Sequence, residues 1–200
     1  ESINVKMANE LSIKCFNSAE GNCNSVGEHA LGMLLSLFHN INSSMNQLKS
    51  QVWNREGNRG IELNGKTVGI IGYGNTGHAF AQKLMGLGCK IISYDKYKSG
   101  FGNNYITECD MKTIYENAEI ISLHIPLSKD TSYLLNKHFI KKMQNPFYVI
   151  NTSRGRIVST KDLIVGLKEK KILGACLDVI ENEKSTFSDI DIDKYFNYLL

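Results

Sequence analysis

Apolar and amphipathic stretches alternate along the chain, and this pattern predicts a succession of strands and helices. Short apolar, β-branched runs predict strands at 67–71, 90–94, 120–124, 147–150 and 174–178, with one more at 13–17. Stretches of helical periodicity lie at 76–88, 110–117, 136–143 and 160–170. Strands and helices that alternate in this way form right-handed βαβ units with a parallel sheet. The pattern therefore predicts a doubly wound α/β (Rossmann) fold.

A long helix is predicted ahead of this region, at 25–49. Ser25 and Glu28 have the spacing of a capping box, which satisfies backbone donors at a helix start. The same signal precedes two later helices, at Thr107 with Asp110 and at Ser159 with Asp162. Positions 30–38 are apolar almost all round. A helix of that kind is buried between two bodies rather than laid on one surface, so we expect this helix to be a partner surface.

Composition narrows the class of protein. The hydrophobic fraction of 42% and the charged fraction of 22% are typical of a globular domain. A net charge of +3 with dispersed lysines gives no nucleic-acid footprint, and no apolar run is long enough to span a membrane. The 5 cysteines are scattered without a C-x-x-C pair, which predicts reduced thiols in a cytoplasmic protein and neither a disulfide framework nor a metal site.

The strongest motif follows the first strand of the predicted sheet. "GIIGYGNTG" runs from a β-branched strand into a glycine-rich turn and then directly into a helical pattern. Gly72 permits the tight turn, Gly74 lets the backbone approach a pyrophosphate, and Gly77 lets the helix pack closely on the strand. The backbone amides of Asn75 and Thr76 then point at the phosphates from the helix start. The motif predicts a dinucleotide site.

An aspartate selects among dinucleotides. The next strand, "KIISY", ends in Asp95, where a carboxylate can accept from both hydroxyls of an adenosine ribose and would repel a 2′-phosphate. Lys96 and Lys98 follow closely and would favour a 2′-phosphate instead. Because Asp95 holds the position at the end of the strand, NAD is the predicted cofactor.

Later strands deliver polar groups to the same edge, since ligands of open α/β sheets bind beyond the carboxyl ends of the strands. These groups are His124 and Pro126, Thr152 and Arg154, and Asp178 with Glu183 in the loop behind it. Each one alone has a structural explanation: a buried histidine, a solvated arginine, a turn cap or a surface charge. Their joint placement on successive strands favours a site.

These motifs resemble those of the NAD-dependent D-2-hydroxyacid dehydrogenases, a family that includes the D-3-phosphoglycerate dehydrogenases. "GNCNSVGEHALGMLL" resembles the family's interdomain helix, and "RGIELNGKTVGIIGYGNTG" its cofactor loop. "SLHIPLSKDTSYLLN" and "VINTSRGRIVSTKDLIVGLKEKKILGACLDVIENE" resemble its two later signatures. The last stretch is the most specific, because it fixes Arg154, Asp178 and Glu183 by their spacing.

The resemblance implies roles for these residues. Arg154 would bind the carboxylate and carbonyl of the substrate, and its planar fork suits a 2-hydroxy or 2-keto acid. Gly155 would leave room for this ligand. Glu183 would pair with a catalytic histidine and keep it protonatable, and Asp178 would lie near the nicotinamide. The cofactor set implied by the resemblance also includes His124, Pro126, Thr131, Thr152 and Ser153.

The resemblance also implies a domain division. Residues 1–17 correspond to the end of a flavodoxin-like substrate domain, 18–49 to the interdomain helix region and 50–200 to the NAD-binding domain. The chain starts at Glu1 and stops in an apolar run, so both ends are expected to be cut. None of the 5 histidines matches the family's acid/base histidine, which is expected beyond Leu200. Lys184 stands where the family usually has a proline.

The predicted function is hydride transfer between NAD and the C2 atom of a D-2-hydroxy acid, in a cytoplasmic homodimer. Overall similarity favours 3-phosphoglycerate as the substrate, and with it a place in serine biosynthesis. An NAD-sensing binding protein or corepressor of the same fold is the alternative, because the site residues do not exclude it. Another Rossmann enzyme, such as an alanine dehydrogenase, would not account for Arg154 and Glu183 at their spacing.

Overall fold

The computed structural model describes residues 3–18 and 20–181. The helices are α1 Val5–Glu10, α2 Cys23–Phe38, α3 Ile41–Lys49, α4 Asn75–Leu84, α5 Met111–Asn117, α6 Lys137–Lys142 and α7 Thr160–Lys168. The strands are β1 Thr67–Ile71, β2 Lys90–Tyr94, β3 Ile106–Glu108, β4 Ile120–Leu123, β5 Phe147–Asn151 and β6 Ile172–Leu177. A 3₁₀ turn covers Gly155–Ile157.

The six strands form a single parallel sheet in the order β3-β2-β1-β4-β5-β6. The strand order reverses between β1 and β4, which lie side by side with Ile71 opposite Leu123. A crevice therefore opens beyond the carboxyl ends of these two strands, where α/β sheets of this topology bind their ligands. The predicted doubly wound fold is confirmed.

Apolar residues on the two faces of the sheet build two cores. The core under α2 and α4 includes Leu34, Phe38 and Phe80, and the core under α5, α6 and α7 includes Phe139 and Phe147. Each core combines residues of the apolar runs that predicted the strands with apolar residues of the helices that cover them. The cores fix the positions of the strand ends on which the polar groups lie.

The segments before the sheet differ from the prediction. Residues 13–17, predicted as a strand, have no regular secondary structure. The predicted helix at 25–49 is two helices, because Asn40 adopts a left-handed conformation (φ 52°) and donates from Nδ2 to the Arg59 carbonyl at 3.1 Å. Asparagine tolerates this conformation better than most residues, so the chain turns there.

Two of the three predicted capping boxes are wrong. α2 begins after Asn22, so Ser25 lies inside the helix. Asp110 is itself the cap of α5 and accepts from the Thr113 amide at 2.8 Å, so Thr107 is not the cap. The third box is confirmed at α7, where Ser159 accepts from the Asp162 amide. β3 was not predicted, because three residues give too short a pattern.

The apolar residues of α2 serve this chain's own core. Leu34 and Phe38 are fully buried, and α2 packs against α4 and the β5–β6 side of the sheet. Leu34 and Phe38 are therefore unavailable to a partner, contrary to the expectation that this apolar stretch of the helix is a partner surface. On the neighbouring helix α3, in contrast, Ile41, Met45 and Leu48 are exposed. Within the described part of the chain, no helix combines the length and apolar character needed to cross a membrane.

Candidate functional site

The glycine-rich turn after β1 has a distinct reason for each glycine. Gly72 has φ +95°, and a Cβ there would collide with the His124 carbonyl oxygen. A Cβ on Gly77 would collide with the Gly72 carbonyl oxygen, so this glycine allows α4 to sit close to the end of the strand. Gly74 faces open space, with no atom within 4 Å of an added Cβ. The fold itself requires Gly72 and Gly77, whereas Gly74 leaves its backbone accessible to a ligand.

The start of α4 provides donors toward that open space. Gly74 is the N-cap residue and contributes no side-chain cap, so the amides of the first turn, including Asn75 and Thr76, are left for another acceptor. The partial positive charge of a helix start favours an anion at this position. A pyrophosphate beside Gly74 would satisfy these amides.

Asp95 follows β2 and organises the neighbouring loop. Its Oδ2 accepts from the Tyr73 amide at 2.7 Å, and its Oδ1 accepts from the amides of Tyr97 (2.8 Å) and Lys98 (3.0 Å). Partial burial acts to raise the pKa of Asp95, but these amides and the charge of Lys98 outweigh it and hold the pKa below its ordinary value. About four acceptor positions exist on a carboxylate. One is therefore left for a ribose hydroxyl, where the sequence predicted two.

An open cavity of about 580 Å³ lies beside Asp95. Its lining comes from the ends of β2 and β3 and the loop between them, namely Tyr94, Asp95, Lys96, Tyr97, Lys98, Ser99, Glu108, Cys109 and Asp110. The two lysines are engaged elsewhere: Lys96 pairs with Asp130 at 2.6 Å, and Lys98 donates to the Tyr73 carbonyl at 3.1 Å. The cavity is placed to hold the nucleoside end of a dinucleotide.

His124, at the end of β4, is a buried residue. Only 7% of it is exposed, its Nε2 lies 2.8 Å from Ser122 Oγ, and its ring packs on Phe80. Burial lowers the pKa of His124 to about 4, so the ring is neutral. Nδ1 has no hydrogen-bond partner among the described residues. The structure thus places this imidazole beneath the glycine turn, in contact with the protein interior.

The loop after β4 is held in shape by the side-chain hydroxyl of one of its residues, Thr131. Thr131 Oγ1 donates to the carbonyl of exposed Pro126 at 2.6 Å and accepts from the Ser128 amide at 2.7 Å. The Thr131 hydroxyl therefore uses both its donor and one acceptor position to hold the loop itself. The loop borders the crevice with a defined shape, and Pro126 presents its ring to solvent.

The end of β5 is bonded to the end of β4. Ser153 Oγ donates to the Leu123 carbonyl at 2.7 Å and accepts from the Ile125 amide at 3.2 Å. Asn151 accepts from the Ser153 amide and donates to the Arg154 carbonyl, which shapes the turn. Thr152 Oγ1 is buried and has no partner among the described residues. A ligand in the crevice would supply that partner.

Arg154 projects from this turn and is exposed. Its Nη1 donates to the Ser153 carbonyl at 2.7 Å, which draws the guanidinium back over the end of β5. The sequence predicted that Gly155 leaves room for a ligand, and this prediction is wrong. A Cβ at this position would collide with the Ile180 carbonyl oxygen of the protein itself. Gly155 is required because the segment after β6 packs directly on the turn. Glu183 lies outside the described residues.

Two acidic residues after β6 tie that segment in place. Glu181 Oε2 accepts from the Thr160 amide at 2.6 Å, at the start of α7. Asp178 donates its amide to the Asn151 carbonyl at 3.0 Å, and its Oδ1 lies 3.1 Å from Nε2 of His29 on α2. Sequence reasoning missed His29 and Glu181, because their partners lie on distant segments and carry no motif. It also missed Asn151, whose side chain holds the turn that directly follows it.

The arrangement brings together the glycine turn, an ionised aspartate, an arginine and an aspartate–histidine pair at one edge of the sheet. Among residues 3–18 and 20–181, no group of histidines, cysteines and carboxylates is arranged to hold a metal ion. The donors at the start of α4 suit phosphates, Asp95 suits a hydroxyl, and Arg154 suits a carboxylate. The site therefore fits a dinucleotide together with a small carboxylic acid.

Comparison with known proteins agrees with this chemistry. The model of the family described as D-isomer specific 2-hydroxyacid dehydrogenase, NAD binding domain, matches residues 31–193. The hydroxypyruvate reductase of Thermotoga maritima is 34% identical over 188 residues, covering 93% of this chain and 60% of that protein. The D-lactate dehydrogenase of Escherichia coli is 32% identical over 189 residues, covering 92% of this chain and 56% of that protein.

The fold has close counterparts among solved structures. The structure of D-lactate dehydrogenase with NAD⁺ from Lactobacillus jensenii superposes with a TM-score of 0.84 at 27% identity, covering 100% of this chain and 64% of that one. The chain spans less than two thirds of the length of each of these relatives. The predicted resemblance is confirmed.

Proposed function

Because the chain belongs to the D-isomer specific 2-hydroxyacid dehydrogenase family, through its NAD binding domain, we propose that it binds NAD as part of an enzyme that interconverts D-2-hydroxy acids and 2-keto acids. The observation that carries the proposal is the convergence of Gly74, Asp95 and Arg154 on the carboxyl edge of one parallel sheet. The relative solved with NAD⁺ supports the choice of cofactor.

The nucleotide would lie across the crevice between β1 and β4. Its pyrophosphate would meet the amides of Asn75 and Thr76 beside Gly74, and a ribose hydroxyl would donate to Asp95 Oδ2. Thr152 Oγ1 would gain a partner from the nicotinamide half.

The remaining residues at this edge would shape the crevice. His124 would support the glycine turn from below. Pro126, Thr131 and Ser153 would shape the border of the crevice, the last two through their hydrogen bonds to neighbouring carbonyls.

Arg154 is proposed as the substrate anchor. When bound, NAD supplies or accepts the hydride. The guanidinium would hold the substrate carboxylate bidentately and fix C2 in the geometry that transfer requires. The same positive charge would stabilise negative charge on the carbonyl oxygen as an alkoxide develops. We propose Glu183 as the partner of a general acid/base histidine.

The substrate class is a short 2-hydroxy or 2-keto acid. Two of the relatives described above are named for hydroxypyruvate and D-lactate, and neither is named for 3-phosphoglycerate, so the narrower expectation gains no support. The alternative of an NAD-sensing binding protein or corepressor gains no support either, because these relatives are named as enzymes. An arginine at the substrate position would serve any of these acids, since all carry a carboxylate beside the reacting carbon.

We propose that two copies associate through α3. None of the residues of α3 is buried in this chain, and Ile41, Met45 and Leu48 form one apolar face of the helix. Trp53, which follows the helix, is 79% exposed as well. An exposed apolar surface of this kind favours a two-fold contact with an identical surface on a second copy.

The proposed activity is tested by NADH oxidation with pyruvate, hydroxypyruvate or glyoxylate, using the protein that contains this chain. Replacing Arg154 with lysine should lower kcat/KM by about a hundredfold, the usual cost of a lost donor to a developing oxyanion. Arg156→Lys is the matched control, because Arg156 is exposed and lies over the Tyr133 ring. No turnover of any 2-keto acid by the wild-type protein, or equal losses in both variants, would contradict the proposal.

A further inference from the structure

His29 reaches the ligand edge of the sheet from a different part of the fold. It lies on α2, and its Nε2 is 3.1 Å from Oδ1 of Asp178, the residue that directly follows β6. A Cβ on Gly27 would lie 3.0 Å from the backbone of Ala79 and Phe80, so α2 is packed closely on α4. Lys83 and Glu28 bridge the same two helices at 3.0 Å. The position of His29 is therefore set by the packing of α2.

In the hydrogen bond between His29 and Asp178, the histidine is the donor. An ionised carboxylate only accepts, so Nε2 carries the proton in either the neutral or the charged imidazole. The backbone of Asp178 is held separately, by its amide bond to the Asn151 carbonyl. Among the described residues, Oδ2 of Asp178 has no hydrogen-bond partner. His29 thus fixes the rotation of the carboxylate and leaves one oxygen for a ligand.

Stability alone accounts poorly for this pair. The side chains of His29 and Asp178 are 55% and 46% exposed, and exposed ion pairs contribute little to folding. A fixed carboxylate orientation, in contrast, matters for a ligand, because a preorganised acceptor loses less freedom on binding. The contact is better suited to orienting Asp178 than to holding the fold together.

We propose that His29 is a positioning residue, which holds Asp178 so that Oδ2 accepts from the carboxamide N–H of the bound nicotinamide. This inference rests on the proposed function and on the place near the nicotinamide that the family resemblance implies for Asp178. His29 itself contacts neither cofactor nor substrate. Its influence is confined to ligands that carry a donor at the carboxamide position.

The test uses three ligands titrated into the wild-type chain and its variants by calorimetry. NADH carries the carboxamide, reduced 3-acetylpyridine adenine dinucleotide has an acetyl group without N–H in its place, and ADP-ribose lacks the ring altogether. His29→Leu removes the donor at similar size, and His29→Gln retains an N–H near the position of Nε2. His29→Ala repeats the test should the leucine variant aggregate.

The leucine variant should bind NADH about fivefold more weakly, the effect of losing one oriented hydrogen bond. Its affinity for the acetylpyridine analogue and for ADP-ribose should stay within about twofold of wild type, and His29→Gln should restore NADH binding. In an Asp178→Ala background, His29→Leu should have no further effect. Equal weakening of all three ligands, or no weakening of NADH, overturns the inference. If the wild-type chain binds none of the three, the proposed function falls, and the inference falls with it.

Discussion

Asp95 combines two tasks that depend on its negative charge. It accepts three backbone amides from the adjoining loop, and it faces the open cavity beside β2. Because these amides hold its pKa below the ordinary value, the carboxylate is ionised at neutral pH. A 2′-phosphate in that cavity would be repelled by the negative charge of Asp95, whereas a ribose hydroxyl would donate a hydrogen bond to the carboxylate. Lys96 cannot offset the charge while it remains paired with Asp130.

Asp95→Asn removes the charge and keeps an acceptor oxygen. We expect the preference for NADH over NADPH to narrow by about tenfold, because repulsion of the 2′-phosphate is lost. Fluorescence titration with both nucleotides measures it. Glu56→Gln, at an exposed carboxylate that does not line this cavity, is the control for loss of a negative charge and should keep the wild-type preference. An unchanged preference in Asp95→Asn would show that charge at this position does not select the cofactor.

His124 predicts a pH dependence of stability. Its pKa falls from 6.5 to about 4 through burial, so the unfolded chain binds more protons between these pH values. The associated stability is present above pH ~6.5 and is lost as the pH falls toward 4, by roughly 3 kcal/mol at most. Urea unfolding between about pH 7 and pH 5 should show a smaller pH slope for His124→Gln than for wild type. His138→Gln, at an exposed histidine, should keep the wild-type slope; equal slopes in all three proteins would refute the burial argument.

At the scale of elements, the start of α7 joins the two segments that border Arg154. Glu181 accepts from the Thr160 amide in the first turn of the helix. Glu181→Gln should lower the free energy of unfolding by about 0.5–1 kcal/mol, because a negative charge at a helix start is favourable. Glu169→Gln, at the opposite end of the same helix, should be neutral or slightly stabilising. Urea denaturation of both variants checks the difference, and equal effects would contradict it.

Elements with a strong local signal could be predicted from the sequence. β1 and β2 have the predicted bounds, because both are apolar β-branched runs ended by glycine or aspartate. The division between α2 and α3 could not be predicted, because it depends on the bond from Asn40 to Arg59, which belongs to a separate loop. The strand expected at 13–17 is absent, since alternation alone does not provide a neighbouring strand to pair with.

The same distinction holds for the candidate site. The glycine turn, Asp95 and Arg154 could be recognised because each follows a strand within a local motif. His29 and Glu181 could not, because their partners are Asp178 and Thr160 on other elements. Gly155 was recognised but given the wrong reason, since only the fold shows that the Ile180 backbone lies against it.

At the scale of the whole molecule, the apolar face of α3 predicts self-association. Light scattering at micromolar concentration should show a dimer that Met45→Glu and Leu48→Glu convert to monomer, because a charge would be buried at the contact. Asn46→Glu, on another face of α3, should leave the dimer intact. A wild-type monomer under the same conditions would count against the proposal. Thermal unfolding should confirm that the variants remain folded.

The central claim, that this chain binds NAD across its glycine turn, is tested most directly by titrating NADH into wild type and Gly74→Val. Gly74 faces open space, so the valine should leave the fold and its melting temperature unchanged while it blocks the approach of a pyrophosphate. Gly32→Ala, at another open glycine, is the control for substitution itself. We predict saturable binding by wild type and Gly32→Ala, and at least about tenfold weaker binding by Gly74→Val. No binding by the wild-type chain, or equal affinity in all three proteins, would contradict the account.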